Sequence, residues 1–136
     1  MTNERRLIQI LKRLKHEETE QAPPEKLGIS PSQVNIIDQL FMAKELTVKE
    51  LSKNLNLKPP TVSVSVKKLE QISILKRKSH EGDGRVVLLM LTKKGFNIYN
   101  QIEKYRTTRV VKILNQINKE EQSKMLSLFE KALNIT

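Results

Sequence analysis

Two adjacent prolines, Pro59 and Pro60, set a boundary that the rest of this 136-residue chain must respect. Proline lacks a backbone N–H and its ring clashes with the preceding turn, so a pair inside a helix would break it. At the first helical positions the same residues cost nothing, because those donors have no intrahelical partner anyway. A helix therefore begins at Pro59, and the residues before it belong to a separate element. Just upstream, Thr47 and Glu50 form a capping box, each side chain satisfying an orphan N–H of a first turn. Val48, Leu51 and Leu55 then share one face at helical spacing. Asn56-Leu57-Lys58 is the turn between the two helices, with Leu57 expected to plug the joint. In the second helix Val62, Val66 and Leu69, with Ser65 beside them, make the inward stripe. Its outward face carries Pro60, Thr61, Ser63, Val64, Lys67 and Lys68. So many valine and threonine residues give mediocre helix propensity, and the helix depends on packing.

A basic hairpin comes after this helix. Ile74-Leu75-Lys76-Arg77-Lys78 is β-prone, Gly82, Asp83 and Gly84 supply the turn, and residues 86–91 return as the second strand. Val87, Leu89 and Leu91 point to one side of it, and Val86, Leu88 and Met90 to the other. Thr92 caps the next helix. Two short helices around a tight turn, then a hairpin, is the layout of a winged helix-turn-helix. Residues 46–95 thus read as a duplex-DNA reader. Charge agrees: the chain carries a formal +10, and residues 44–94 hold 12 Lys and Arg against 5 Asp and Glu, +7 of that total. Such an excess points toward a polyanion.

The segments Ser30-Pro31-Ser32-Gln33, Thr47-Val48-Lys49-Glu50-Leu51-Ser52, Thr61-Val62-Ser63, Leu69-Glu70, Asp83-Gly84-Arg85 and Leu91-Thr92-Lys93-Lys94-Gly95 occur in a known order and spacing. Over residues 30–95 the chain resembles the MarR family of bacterial transcriptional regulators, the Asp-x-Arg and Leu-Thr-x-x-Gly pair being the most specific part. The resemblance implies a homodimer whose recognition helices enter successive major grooves, with wings at the flanking minor grooves. It places Arg85 at the minor groove, where narrow A·T-rich stretches attract guanidinium groups. It also implies, as often in the family, an effector pocket where the first, second and fifth helices meet, for which Phe41, Tyr99, Tyr105 and Arg106 are the candidates. This sequence departs from the family at three places. Val64 stands where a basic or polar base-contacting residue is common, so readout leans on thymine methyls. Ser73 replaces the usual glycine at the helix-to-strand corner, which strains or reshapes that backbone. The Pro59-Pro60 doublet changes how the helix N-terminus meets phosphate.

The flanks read as dimerisation machinery. Residues 4–18 form a basic helix with Leu7, Ile10 or Leu11, and Leu14 on one stripe; Glu17 to Lys26, with Pro23-Pro24, is a charged loop. Ser30 and Gln33 make a second capping box, ahead of a buried stripe of Val34, Ile37, Leu40 and Phe41. A long helix over 93–116 carries Phe96, Tyr99, Ile102, Val110, Ile113 and Ile117, the stripe interrupted near Arg106-Thr107-Thr108-Arg109 by a bend or by a change in what the two halves face. A final helix, capped at Asn118 and Glu121, presents Met125, Leu126, Phe129, Ala132 and Leu133. Apolar faces at both ends of so short a chain would stay wet in a monomer, and twofold association hides them. The fold class is therefore mainly α with a two-stranded wing: one chain, 1–136, with a DNA-binding region at 30–95 and dimerisation helices at 1–22 and 96–136. Leu7, Leu11, Leu14, Ile113, Ile117, Leu126, Phe129 and Leu133 are the dimerisation candidates.

Other chemistries find no residues. There is no cysteine, hence no disulfide or thiolate chemistry. His16 and His80 are isolated and make no zinc site, so no metal or cofactor is expected. No phosphate-cradling glycine loop or nucleophile–base pair suggests an enzyme. No apolar run reaches membrane-spanning length and the N-terminus lacks an apolar leader core, so a cytoplasmic, nucleoid-associated protein is expected, without membrane contact. On the wing, Lys76, Arg77 and Lys78 alternate faces, so one or two reach phosphate; His80, at the tip, is a further candidate. Asp83 orients Arg85 or shapes the turn with Gly82 and Gly84. The expected function is sequence-specific binding of a homodimer to a pseudo-palindromic operator in double-stranded DNA, repression favoured over activation, with relief by a small effector in keeping with the resemblance. The alternative is a winged-helix module that binds protein, or DNA without sequence preference.

Overall fold

Capping boxes open three of the helices. Ser30 accepts from the Gln33 N–H while Gln33 accepts from the Ser30 N–H, at 3.3 and 2.9 Å; Thr47 and Glu50 do the same at 3.1 and 3.2 Å, and Asn118 and Glu121 at 2.8 and 3.0 Å. A cap of this kind is worth about 1 kcal/mol. A computed structural model describes residues 1–20, 26–80 and 82–135, the side chains of 17–20 and 83 lying outside it. The described elements are α1 (Asn3–Glu20), α2 (Pro31–Ala43), α3 (Val48–Leu55), α4 (Pro59–Gln71), β1 (Leu75–His80), β2 (Asp83–Leu91), α5 (Lys93–Leu114) and α6 (Lys119–Ala132). α1 thus runs through Glu20, where the sequence suggested a loop; Pro23 and Pro24 fall outside the described residues. α5 is helical through Arg106-Thr107-Thr108-Arg109, so that polar stretch does not end the helix.

The chain divides into two compact units, residues 1–101 and 102–136. In the first, α2 is the hub and packs on α3, α4 and β2. Its Ile36, Ile37 and Leu40 are buried, as are Leu51, Val62, Val66, Leu69, Ile74, Leu75 and Leu89. Asn56 ends α3 in the left-handed region (φ 53°) and donates to the Lys53 and Ser52 carbonyls, while Leu57 N–H also bonds Ser52. The backbone alone closes this turn. Leu57 is 42% exposed, so it does not plug the joint as its sequence position suggested.

β1 and β2 pair antiparallel with Leu75 opposite Leu91 and Arg77 opposite Leu89, and the register slips between Ser79 and His80. Gly82 turns with φ +94°, whereas Asp83 and Gly84 already belong to β2. The far edge of β2 is also paired, since Leu46 and Leu89 exchange N–H···O bonds of 3.1 and 2.7 Å. Leu88 and Leu89 are both buried, so β2 has apolar cover on its two faces. In the second unit the end of α5 meets α6 through a turn in which Gln122 Nε2 donates to the Leu114 and Ile117 carbonyls at 2.8 and 3.2 Å.

Candidate nucleic-acid interface

α4 is anchored on one side and bare on the other. Val62, Val66 and Leu69 are buried, whereas Pro60, Thr61, Ser63, Val64, Lys67 and Lys68 are all exposed. At 3.6 residues per turn, Val64 lies almost diametrically opposite the buried stripe, and it is 57% exposed. The helix start is self-contained. Lys58 is the N-cap and makes no side-chain cap bond; Pro59 and Pro60 have no N–H, and the Thr61 and Val62 N–H groups both donate to the Lys58 carbonyl, at 3.0 and 3.2 Å. Thr61 and Ser63, being inside the helix, are not its capping hydroxyls.

Lys76, Arg77 and Lys78 are all exposed along β1. Arg77 differs from its neighbours. Its Nε donates to both oxygens of Glu70, at 3.1 and 3.0 Å, an ion pair that ties the strand to the last turn of α4. Both partners are about 40% exposed, so the pair contributes little to stability but matches the Arg77 charge within the protein. His80 and Arg85 are exposed near the hairpin end; the Asp83 side chain lies outside the described residues.

At the corner between α4 and β1, Ser73 adopts φ 63°, the left-handed region that glycine occupies without steric cost. Ser73 and Ile74 N–H groups donate back to the Glu70 and Leu69 carbonyls, 3.0 and 2.9 Å away. Thr92 braces the corner from the other side. Its hydroxyl donates to the Ser73 and Ile74 carbonyls and accepts from the Gly95 N–H at 3.0 Å, which caps α5. Lys94 Nζ donates to the Ile72 carbonyl at 2.8 Å. A Cβ on Gly95 would collide with the Ile74 carbonyl. The Leu-Thr-x-x-Gly motif is thus the socket into which the end of α4 fits.

Of the effector-pocket candidates, Phe41 and Tyr99 come together, stacked with ring centroids 3.7 Å apart. Phe96 adds its edge at 6.2 Å, a neighbour that the sequence did not single out for this role. Tyr105 and Arg106 lie in the second unit, where Arg106 pairs with Glu103 at 2.7 Å and Arg109 lies over the Tyr105 ring. The dimerisation candidates are outward-facing: Leu7, Leu11, Leu14, Ile113, Leu126, Phe129 and Leu133 are exposed and Ile117 is half-buried. No helix among the described residues is long and apolar enough to cross a membrane. Sequence reasoning missed the Leu46–Leu89 bridge, the Arg77–Glu70 pair and the Asn54–Gln39 bond between α3 and α2 (3.0 Å). Only the second left a signal, opposite charges on either side of a corner.

The family model described as MarR family matches residues 29–87. Over 97 residues the chain is 28% identical to the HTH-type transcriptional repressor MdtR of Bacillus subtilis, covering 71% of this chain and 63% of that protein. It is 34% identical over 97 residues to the organic hydroperoxide resistance transcriptional regulator of the same organism, covering 70% and 66%. The matches span just under two thirds of the length of these relatives. The crystal structure of Streptococcus pneumoniae FabT in complex with DNA is similar over 98% of this chain and 100% of that one, with a TM-score of 0.80 and 26% identity. The chain belongs to the MarR family and has its winged helix-turn-helix fold.

Proposed function

We propose that this protein is a transcriptional regulator that binds a pseudo-palindromic operator in double-stranded DNA as a homodimer and acts there as a repressor. The observation that carries the reading is the presentation of α4: three apolar residues lock it to the core while its opposite face stands in solvent among lysines. The major groove admits one such helix. FabT supports the reading because its structure contains DNA, and MdtR because it is a repressor. The exposed apolar residues of α1 and α6 supply the surface for the twofold association, and the Phe41–Tyr99 stack is the place for a small effector to act. In this reading residues 30–95 bind DNA, and 1–22 with 96–136 hold the dimer. Arg85 enters the minor groove, Lys67 reaches base edges, and Lys68, Lys76 and Lys78 meet phosphate. The test is selection of duplexes from random DNA, with affinity then measured across salt concentrations. A symmetric preferred sequence is expected, with log K falling against log[salt] at a slope near −5 for about six neutralised phosphates. Equal affinity for all duplexes, or a shallow slope, overturns it.

A further inference from the structure

The leading half of α4 lacks the side chains that make paired hydrogen bonds to base edges. Residues 59–66 read PPTVSVSV and contain no charged side chain, no amide and no imidazole. The backbone is equally spent, since two positions are proline and the next two N–H groups are taken by the Lys58 carbonyl. The residues that single out guanine, adenine and cytosine are, respectively, Arg or Lys, Asn or Gln, and Asp or Glu, and this segment holds none of them; its hydroxyls, on Thr61, Ser63 and Ser65, bond to more than one base and do not discriminate by themselves. Thymine alone presents an apolar mark in the major groove, its 5-methyl group, which apolar side chains contact. Val64 is 57% exposed on that face, with Pro60 and Thr61 one turn before it, in a stretch that also carries exposed Lys53, Lys58, Lys67 and Lys68. An exposed apolar side chain on a helix that also exposes lysines matches a methyl on a base inside a polyanion. It matches neither water nor an apolar partner surface.

We infer that Val64 is a specificity-determining residue that recognises the 5-methyl group of a thymine in each operator half-site, so that the core of each half-site is thymine-bearing and guanine contacts are confined to the reach of Lys67 and Lys68. The inference rests on the DNA-binding reading above and deepens it. The probe is the duplex selected by the full chain from a random 30-bp pool, resynthesised with deoxyuridine in place of thymidine at one symmetry-related pair at a time. Deoxyuridine keeps every hydrogen-bonding group and removes only the methyl. At one pair, wild-type affinity should fall about fourfold per methyl and roughly fifteenfold for both, and Val64→Ser, which removes both side-chain methyls, should bind the thymidine and deoxyuridine duplexes equally. Because residue 64 is outside the core and serine and valine have similar helix propensity, Val64→Ser should melt at about the wild-type temperature, which separates lost contact from lost fold. If deoxyuridine has no effect at any pair, or if Val64→Ser still discriminates, the inference is overturned while the regulator reading stands. If selection returns no preferred sequence, both fall.

Discussion

Ser73 occupies a backbone region that costs an L-residue roughly 1–2 kcal/mol, and nothing about serine requires it there. Ser73→Gly should therefore raise stability, by about 0.5–1 kcal/mol once the greater freedom of glycine in the unfolded chain is set against the relief. A higher denaturant midpoint with an unchanged slope would show it. Gly95→Ala should do the reverse. The added methyl meets the Ile74 carbonyl, and overpacking at a fixed backbone typically costs about 1–3 kcal/mol; a lower melting temperature with retained helicity is the expected readout. The two positions differ in how legible they were. Ser73 stood out because it sits at a corner where the MarR pattern has glycine. The demand on Gly95 comes from a carbonyl 21 positions earlier in the chain, and no local pattern reveals a contact at that separation.

Helices were the most legible elements, for a physical reason. Capping boxes and the proline doublet are local, and they place the starts of α2, α3, α4 and α6 where the side-chain chemistry requires. The spacing of Val62, Val66 and Leu69 alone was enough to separate the inward and outward faces of α4. The wing was less legible, because its behaviour depends on partners distant in sequence. Lys76 and Lys78 share one face of β1 and Arg77 takes the other, and it is Arg77 that Glu70 holds. This arrangement sorts the three cations. In the proposed complex Lys76→Gln and Lys78→Gln should each make the salt slope shallower by about 2 in the dimer, one phosphate per protomer. Arg77→Gln should leave the slope unchanged, because its charge is already matched. Titration of affinity against salt for the three variants checks the assignment. Arg85→Ala should weaken binding most on duplexes with A·T-rich flanks, measured as the ratio of affinities for A·T- and G·C-flanked versions of one site.

At the scale of the whole molecule, exposed apolar side chains are the feature still to be satisfied. Leu11 is 54% exposed on α1, and Leu126 and Phe129 are 44% and 43% exposed on α6. The amphipathic pattern of both helices was plain in the sequence; the surface that covers them was not, because periodicity shows which residues avoid water and not what they meet. Leu126→Asp should convert the proposed dimer to monomers in sedimentation equilibrium and reduce operator affinity in the same concentration range, since paired half-sites lie about one helical turn apart. Dimeric sedimentation with lost DNA binding would place the interface elsewhere. The socket formed by Thr92, Lys94 and Gly95 bears on how such a protein can change. It claims the carbonyls of residues 72–74, so the tail of the reading helix is welded to the scaffold while its outward-facing tip at Val64 stands in solvent. Mutational drift can rewrite the tip and redirect the protein to another gene without disturbing its architecture; the tail has no such licence.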